Sequence, residues 1–304
     1  MAMRKVAILG TTGLLGFGLC RYLSSKDFEV IELNRSGISV ISTNYSKEFD
    51  AATITKNELT KLLEDVNWIV NCVGVIKHKI NLDDDISKEL AVKVNVDFPK
   101  LLDLVAAENN KKVIQIGTDC VFSGKEFNYV ESSPHDALDF YGKTKSAGEV
   151  NLKSTLILRS SFVGRELNSN IEFLEWVLSH EDNNSINGYV NHLWNGCTVL
   201  HIAKIIEGII INSKFIPGIR HLVPANYVTK YELAKLISET LGNSRVSISP
   251  AEDVTSINRT LDTNYRDFNE AVWKNAGYLA PPLIAEMIME YAYWVKDDGN
   301  NYGK

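Results

Sequence analysis

Short apolar runs alternate with longer amphipathic stretches along the first half of the chain, a pattern that predicts βαβ units and a parallel sheet. Strands are expected at Lys5–Gly10, Phe28–Leu33, Asn67–Cys72, Lys112–Gly117 and Thr155–Arg159. Helices are expected at Leu14–Ser25, Asn57–Leu63, Ile86–Asn109 and Asp139–Leu152. Beyond Gly164 the pattern loosens into Asn-rich loops, with helices at Ile171–Ser179, Val199–Ile211, Lys230–Leu241 and within Leu283–Val295. The polar tail Lys296–Lys304, rich in Gly and Asn, reads as frayed. The expected fold class is α/β. Residues 1–165 would form a doubly wound, Rossmann-type parallel sheet that binds a dinucleotide, and residues 166–304 a smaller α/β portion for substrate. Part of that second portion, around 196–225, is expected to return to the first sheet.

Composition narrows the function classes. The chain has 304 residues, 45% apolar and 23% charged, which is ordinary globular composition and argues against disorder. Its net charge of −6 leaves no basic stripe for a phosphate backbone, so nucleic acid is not an expected partner. The apolar run in MAMRKVAILG is too short for a signal peptide, and no later run approaches ~18 apolar residues. A cytoplasmic protein without a membrane partner is expected. The 4 cysteines are widely spaced and the 6 histidines show no ligand spacing, so neither a metal nor a disulfide framework is expected.

The first strand runs into the first helix through Gly10-Thr11-Thr12-Gly13-Leu14-Leu15-Gly16. Such a glycine trio allows a tight turn, close backbone approach to a pyrophosphate, and close helix packing; the helix N-terminus then faces the phosphates. Thr12, Leu14 and Leu15 would contribute their backbone to the same cradle. At the end of the second strand Asn34 stands where an acid would bind the hydroxyls of an NADH ribose, and Arg35 follows it. An arginine there suits a 2′-phosphate, so NADPH is expected, with Glu32 keeping NADH open. Asn71, Cys72 and Gly74 would line the cofactor's floor, and Asn95 is a further candidate for holding backbone or water near the site.

Chemistry is carried by Thr118, at the end of an apolar strand, and by Tyr141 and Lys145 on the following helix. Tyr-x-x-x-Lys also occurs at Tyr22/Lys26 and Tyr231/Lys235, but only Tyr141/Lys145 lies at the carboxyl end of the sheet. The i, i+4 spacing puts both side chains on one helix face, where the ammonium is expected to lower the phenol's pKa toward the working range of a general acid. Thr118 would position a substrate oxygen, Tyr141 donate the proton, and Lys145 modulate it and bind ribose. Together these read as reduction of a carbonyl.

Gly117-Thr118-Asp119-Cys120-Val121-Phe122-Ser123-Gly124, Glu131 and Tyr141-Gly142-Lys143-Thr144-Lys145-Ser146-Ala147-Gly148-Glu149 resemble the extended short-chain dehydrogenase/reductase superfamily, and more narrowly the dTDP-4-dehydrorhamnose reductase family. The likeness continues through Leu158–Gly164, Gly196-Cys197-Thr198 and Asn258-Arg259-Thr260-Leu261-Asp262-Thr263. It implies reduction of the 4-keto group of a nucleotide-linked 6-deoxyhexose, in the biosynthesis of deoxysugars and surface polysaccharides. By the same resemblance Thr118, Tyr141 and Lys145 are catalytic. Asp119, Cys120, Val121, Phe122 and Arg259 are substrate-binding, with Arg259 near the diphosphate, and a homodimer stays open. Cys120 and Ser123 depart from the family's usual tyrosine and aspartate, which implies a different substrate pocket. A C4 epimerase of the same superfamily is one alternative. A non-catalytic subunit resembling the methionine adenosyltransferase beta subunit is another.

Overall fold

The computed structural model describes residues 4–167, 171–180, 185–242 and 246–297. Its first part builds β1 (Arg4–Leu9), α1 (Leu14–Ser24), β2 (Phe28–Asn34), β3 (Tyr45–Glu48), α2 (Lys56–Leu62), β4 (Trp68–Asn71), α3 (Asp85–Val92) and α4 (Phe98–Glu108). These are followed by β5 (Lys112–Gly117), α5 (Phe140–Gly148) and β6 (Thr155–Arg159). The strands pair in parallel in the order β3-β2-β1-β4-β5-β6, and one later strand extends the sheet beside β6. The order reverses between β1 and β4, which opens a crevice at the strands' carboxyl ends.

The central strands are apolar without interruption because both sheet faces are covered. In β1, Val6 and Ile8 face one layer with Leu19, Ile205 and Met287. Ala7 and Leu9 face the other, with Leu59, Phe98 and Leu102. Alternation of period 2 thus sends successive residues of one strand into two separate cores.

The second part supplies β7 (Phe162–Val163), α6 (Phe173–Leu178), β8 (Ser185–Tyr189), β9 (His192–Trp194), β10 (Cys197–Thr198) and α7 (Val199–Ile211). Then come β11 (Gly218–His221), β12 (Val228–Thr229), α8 (Lys230–Thr240), β13 (Ser247–Ala251), β14 (Ile257–Asn258), α9 (Arg266–Asn275) and α10 (Ile284–Asp297). β11 is the strand that pairs with β6, and it makes the sheet seven-stranded. α7 packs on α1. The remaining short strands form a smaller mixed α/β region: β12-β9-β14, β13-β8 and β10-β7.

Three of the expected stretches come out differently, and β3 and the short strands of the second part were not expected. The stretch expected as one helix over Ile86–Asn109 is divided by a wider π turn at Lys93–Asp97. The helix expected to run to Leu152 ends at Gly148, and Asn151 lies beyond it with φ 66°. Lys296 and Asp297, expected in the frayed tail, belong to α10, and Lys296 Nζ donates to Thr240 O at 2.9 Å. The rest of that tail lies outside the described residues.

Candidate active site

At the nucleotide end, β1 hands over to α1 through a turn that requires glycine at Gly10, where φ is 83°, and at Gly16. A Cβ on Gly16 would lie 2.3 Å from Gly10 O, so the helix seats directly on the turn. Gly13 is the N-cap and gives no side-chain cap to the first-turn N–H groups, while Thr12 and Gly13 are exposed. Those N–H groups and the helix dipole are available to an anion.

Asn34 is buried and occupied internally. Its Nδ2 donates to Thr11 Oγ1 and Ile38 O, both at 2.9 Å, and its Oδ1 accepts from Ser36. It shapes the loop and points no polar atom outward. Glu32, fully buried, accepts from Val40 N, Ile41 N, Ser39 Oγ and Asn44 Nδ2, so no carboxylate is free for a ribose there. Arg35 is exposed beside them and makes no hydrogen bond or ion pair among the described residues. Asn71 is buried too, donating to Gln115 Oε1 at 2.6 Å and accepting from Val73 N at 3.0 Å. Cys72 and Gly74 follow on the surface of the crevice, and a Cβ on Gly74 would lie 3.8 Å from Lys145 Nζ.

The chemical end is assembled by two tight contacts. Asp139 caps α5 by accepting Gly142 N at 2.7 Å, and Lys77 pairs with the same carboxylate at 3.1 Å. A Cβ on Gly142 would lie only 2.2 Å from Cys120 O, so the first turn of α5 presses against the turn that follows β5. That approach brings the Tyr141 phenol within electrostatic reach of Thr118 and Cys120. The π turn contributes from the other side: Asn95 accepts from Val75 N at 2.9 Å and donates to Val75 O and to Thr144 Oγ1 at 3.1 Å. It ties the loop after β4 to α5, with its amide wholly engaged by protein. π turns often sit at such functional positions.

Burial, rather than Lys145, dominates the phenol. It pushes Tyr141 well above the usual tyrosine range, reinforced by Cys120 and opposed by the Thr118 hydroxyl. Burial likewise holds the Lys145 ammonium below the usual lysine range, with Glu149 one turn along opposing it. The expected lowering of Tyr141 is therefore reversed, because a group taken out of water favours its neutral form. Burial also pushes the Cys120 thiol up to about 12, so it stays protonated at neutral pH.

Beneath the site, Arg159 is fully buried between Glu149 Oε2 at 2.5 Å, His221 Nε2 at 2.8 Å and His135 Nε2 at 2.9 Å. A guanidinium only donates, so both histidines must be neutral with the proton on Nδ1. His221 then donates to Asp262 O and His135 to Ser146 Oγ, each at 2.7 Å. Burial and then the Arg159 charge hold both below the usual histidine range, His221 at about 4.

The substrate residues separate into two groups. Asp119, Cys120 and Arg259 face one another: Asp119 Oδ1 is 3.3 Å from Thr118 Oγ1, Arg259 Nη1 is 3.8 Å from Cys120 Sγ, and Arg259 Nε donates to Phe122 O at 2.8 Å. Burial raises the Asp119 carboxyl against the pull of Arg259 and Lys230. Val121 and Phe122, expected in the pocket, are fully buried instead. Phe122 stacks on Tyr129 at 4.2 Å, forming the floor under the turn, because the short 3-10 turn Asp119–Val121 leads the chain from the cleft into the core. Ser123 also turns inward and donates to Asp136 Oδ2 at 2.5 Å, so its departure from the family pattern does not empty the pocket of a carboxylate. Lys230 faces Asp119 and Arg259 from the second part of the chain, with Glu172 near it and Trp194 beside its ammonium, and sequence reasoning did not single them out. The one readable signal was the Thr229-Lys230-Tyr231-Glu232 helix start.

A seven-stranded parallel sheet with a glycine turn at its switch point, and Thr, Tyr and Lys gathered at the neighbouring strand ends, defines an α/β protein of the extended short-chain dehydrogenase/reductase kind. The sequence matches the RmlD substrate binding domain family over residues 3–278, and the chain belongs to that family of sugar-nucleotide reductases. It is 26% identical over 304 residues to the spore coat polysaccharide biosynthesis protein SpsK of Bacillus subtilis, covering 95% of this chain and 97% of that one. It is 22% identical over 278 residues to the dTDP-4-keto-6-deoxy-D-glucose reductase of Streptomyces niveus, covering 89% and 90%. Among solved structures, a dTDP-4-dehydrorhamnose reductase from Bacillus anthracis in complex with NADP superposes with a TM-score of 0.73 at 18% identity, covering 96% and 99%. No described helix is long and apolar enough to cross a membrane.

Proposed function

We propose that the chain is an NADPH-dependent reductase of the 4-keto group of a nucleotide-linked 6-deoxyhexose. The observation that carries this reading is the meeting of Thr118, Tyr141 and Lys145 beside Gly74, one strand from the glycine turn. The cradle fits the cofactor: uncapped N–H groups of α1 suit its pyrophosphate, and the unpaired Arg35 suits a 2′-phosphate. With Glu32 and Asn34 committed to the β2–β3 loop, nothing nearby favours NADH over NADPH. When bound, NADPH supplies the hydride.

The chain's own groups then handle the oxygen. Thr118 donates to the ketone oxygen and orients it, and Tyr141, kept protonated by burial, gives it a proton as negative charge develops. Lys145 stabilises the phenolate that remains, an interaction stronger in the transition state than before it. Arg259 binds the substrate's diphosphate, since Nε anchors it to Phe122 O while Nη1 lies against Cys120 Sγ beside Thr118. The two-part organisation, residues 1–165 for cofactor and 166–304 for sugar nucleotide, follows from the same reading.

The test is NADPH oxidation with dTDP- and UDP-linked 4-keto-6-deoxyhexoses, wild type against Tyr141→Phe. Wild type should turn over one of them, and Tyr141→Phe should lose about 10²-fold or more while binding NADPH as before. Equal turnover by the two proteins, or no turnover with any such sugar, would sink the assignment.

A further inference from the structure

Lys230 opens α8, and its backbone position is fixed by a capping box: Thr229 Oγ1 accepts Glu232 N at 3.1 Å, and Glu232 Oε2 accepts Thr229 N at 2.7 Å. From there the side chain crosses two aromatic faces, with Nζ 4.2 Å from the Phe173 ring centre and 5.6 Å from that of Trp194. These platforms hold the stem and exclude water from one side of the ammonium. Yet Lys230 makes no hydrogen bond or ion pair with any described residue. The groups facing it are Asp119 and Cys120 after β5, Glu172 at the start of α6, and Arg259 after β14.

Arg259 is in a similar condition. Its Nε is satisfied by Phe122 O, but Nη1 meets only a thiol, and it makes no ion pair among the described residues. Two cations therefore point into one cleft beside Thr118, each repelling the other. Asp119 faces both, and burial raises its carboxyl against their pull. Glu172 also faces Lys230 and Asp139 lies within electrostatic reach of Arg259, yet neither cation pairs with a carboxylate among the described residues, so both keep donors for a multiply charged anion.

We propose that Lys230 is a second cation for the substrate's diphosphate, closing on it from α8 while Arg259 closes from the loop after β14. The inference rests on the sugar-nucleotide reading above and names the residue that reading lacks. A consequence follows from the burial of Lys230, which draws its ammonium down to about 8, with Asp119 the main opposing influence. Diphosphate binding should weaken as pH rises through that range, whereas an arginine in its place stays charged.

The experiment is calorimetric titration of the full chain with dTDP and UDP, with NADPH as a control for the cofactor's own pyrophosphate. At pH 7, Lys230→Met should bind the better nucleoside diphosphate roughly tenfold or more weakly and NADPH unchanged, the scale of a charge-assisted contact. From pH 7 to 9.5 wild type should lose affinity for that ligand, and Lys230→Arg should hold it. Equal affinity of wild type and Lys230→Met for both nucleotides overturns the proposal. Loss of NADPH binding in both variants would assign Lys230 to the fold and overturns it as well. A wild type that binds NADPH but neither nucleotide instead removes the sugar-nucleotide reading on which the proposal stands.

Discussion

Acid should loosen this protein as pH falls below the ordinary histidine range, because His221 is held neutral against Arg159 in the core. The unfolded chain takes up the proton near pH 6.5, the ordinary histidine value, while the folded chain resists it down to about 4. Stability is therefore complete above 6.5 and declines as pH falls toward the folded value. Between pH 7 and 5 the linkage amounts to about 2 kcal/mol for His221 alone. His135, held down by the same guanidinium, acts in the same direction. Asp119 and Glu172, raised by burial, act in the opposite direction, so His221→Gln is the comparison that isolates the histidine. Glu290, held at about 2 with help from His201, Lys204 and Tyr278, loses its contribution only below the ordinary glutamate range. Urea unfolding at pH 7 and pH 5 should show the loss, and His221→Gln, which keeps an acceptor for Arg159 but cannot titrate, should be correspondingly less pH-sensitive. A His221 ring that titrates near 6.5 by NMR, or a urea midpoint unmoved between the two pH values, would refute the reasoning.

Arg35→Ala should weaken NADPH by about 1.5–3 kcal/mol and leave NADH unchanged, measured by fluorescence titration of both; equal effects would dissociate Arg35 from the 2′-phosphate. Gly142→Ala places a methyl against Cys120 O, so it should destabilise by about 1–3 kcal/mol and lower kcat by moving Tyr141 from Thr118, with thermal melts and turnover as the readouts. Arg259→Ala should raise KM for the sugar nucleotide far more than it lowers kcat, the signature of a remote binding contact; an unchanged KM argues against it.

The strands of the main sheet were legible because burial on both faces leaves long apolar runs, as in β1 and β5. β3 was not, since Tyr45–Glu48 alternates polar residues and owes its place to pairing with β2. Nor was the π turn at Lys93–Asp97, whose Asn95 reaches Val75 and Thr144 across the fold, a tertiary arrangement that local composition does not mark. In the site, spacing sufficed for Tyr141 and Lys145 because one helix carries both. It could not give the direction of the Tyr141 shift, which depends on how much water the surrounding segments exclude. The inward turn of Val121 and Phe122 and the arrival of Lys230 depend on how distant segments dock, which a local pattern does not encode.

The packing of α7 on α1 also dictates when this fold can close. Leu19 and Leu23 of α1 are covered in part by Ile205 and Ile209, which follow far along the chain. During synthesis the early helix emerges first and its oily side waits for that partner, at typical elongation speeds for roughly ten to forty seconds. β11 completes the sheet later still. A nascent chain stopped after β6 would expose both the uncovered helix face and the unpaired edge of β6, the two kinds of surface that holding chaperones bind and that drive aggregation. Slow regions in the message between the codons for β6 and α7 would therefore lengthen the vulnerable interval, and a fragment ending there should aggregate rather than fold.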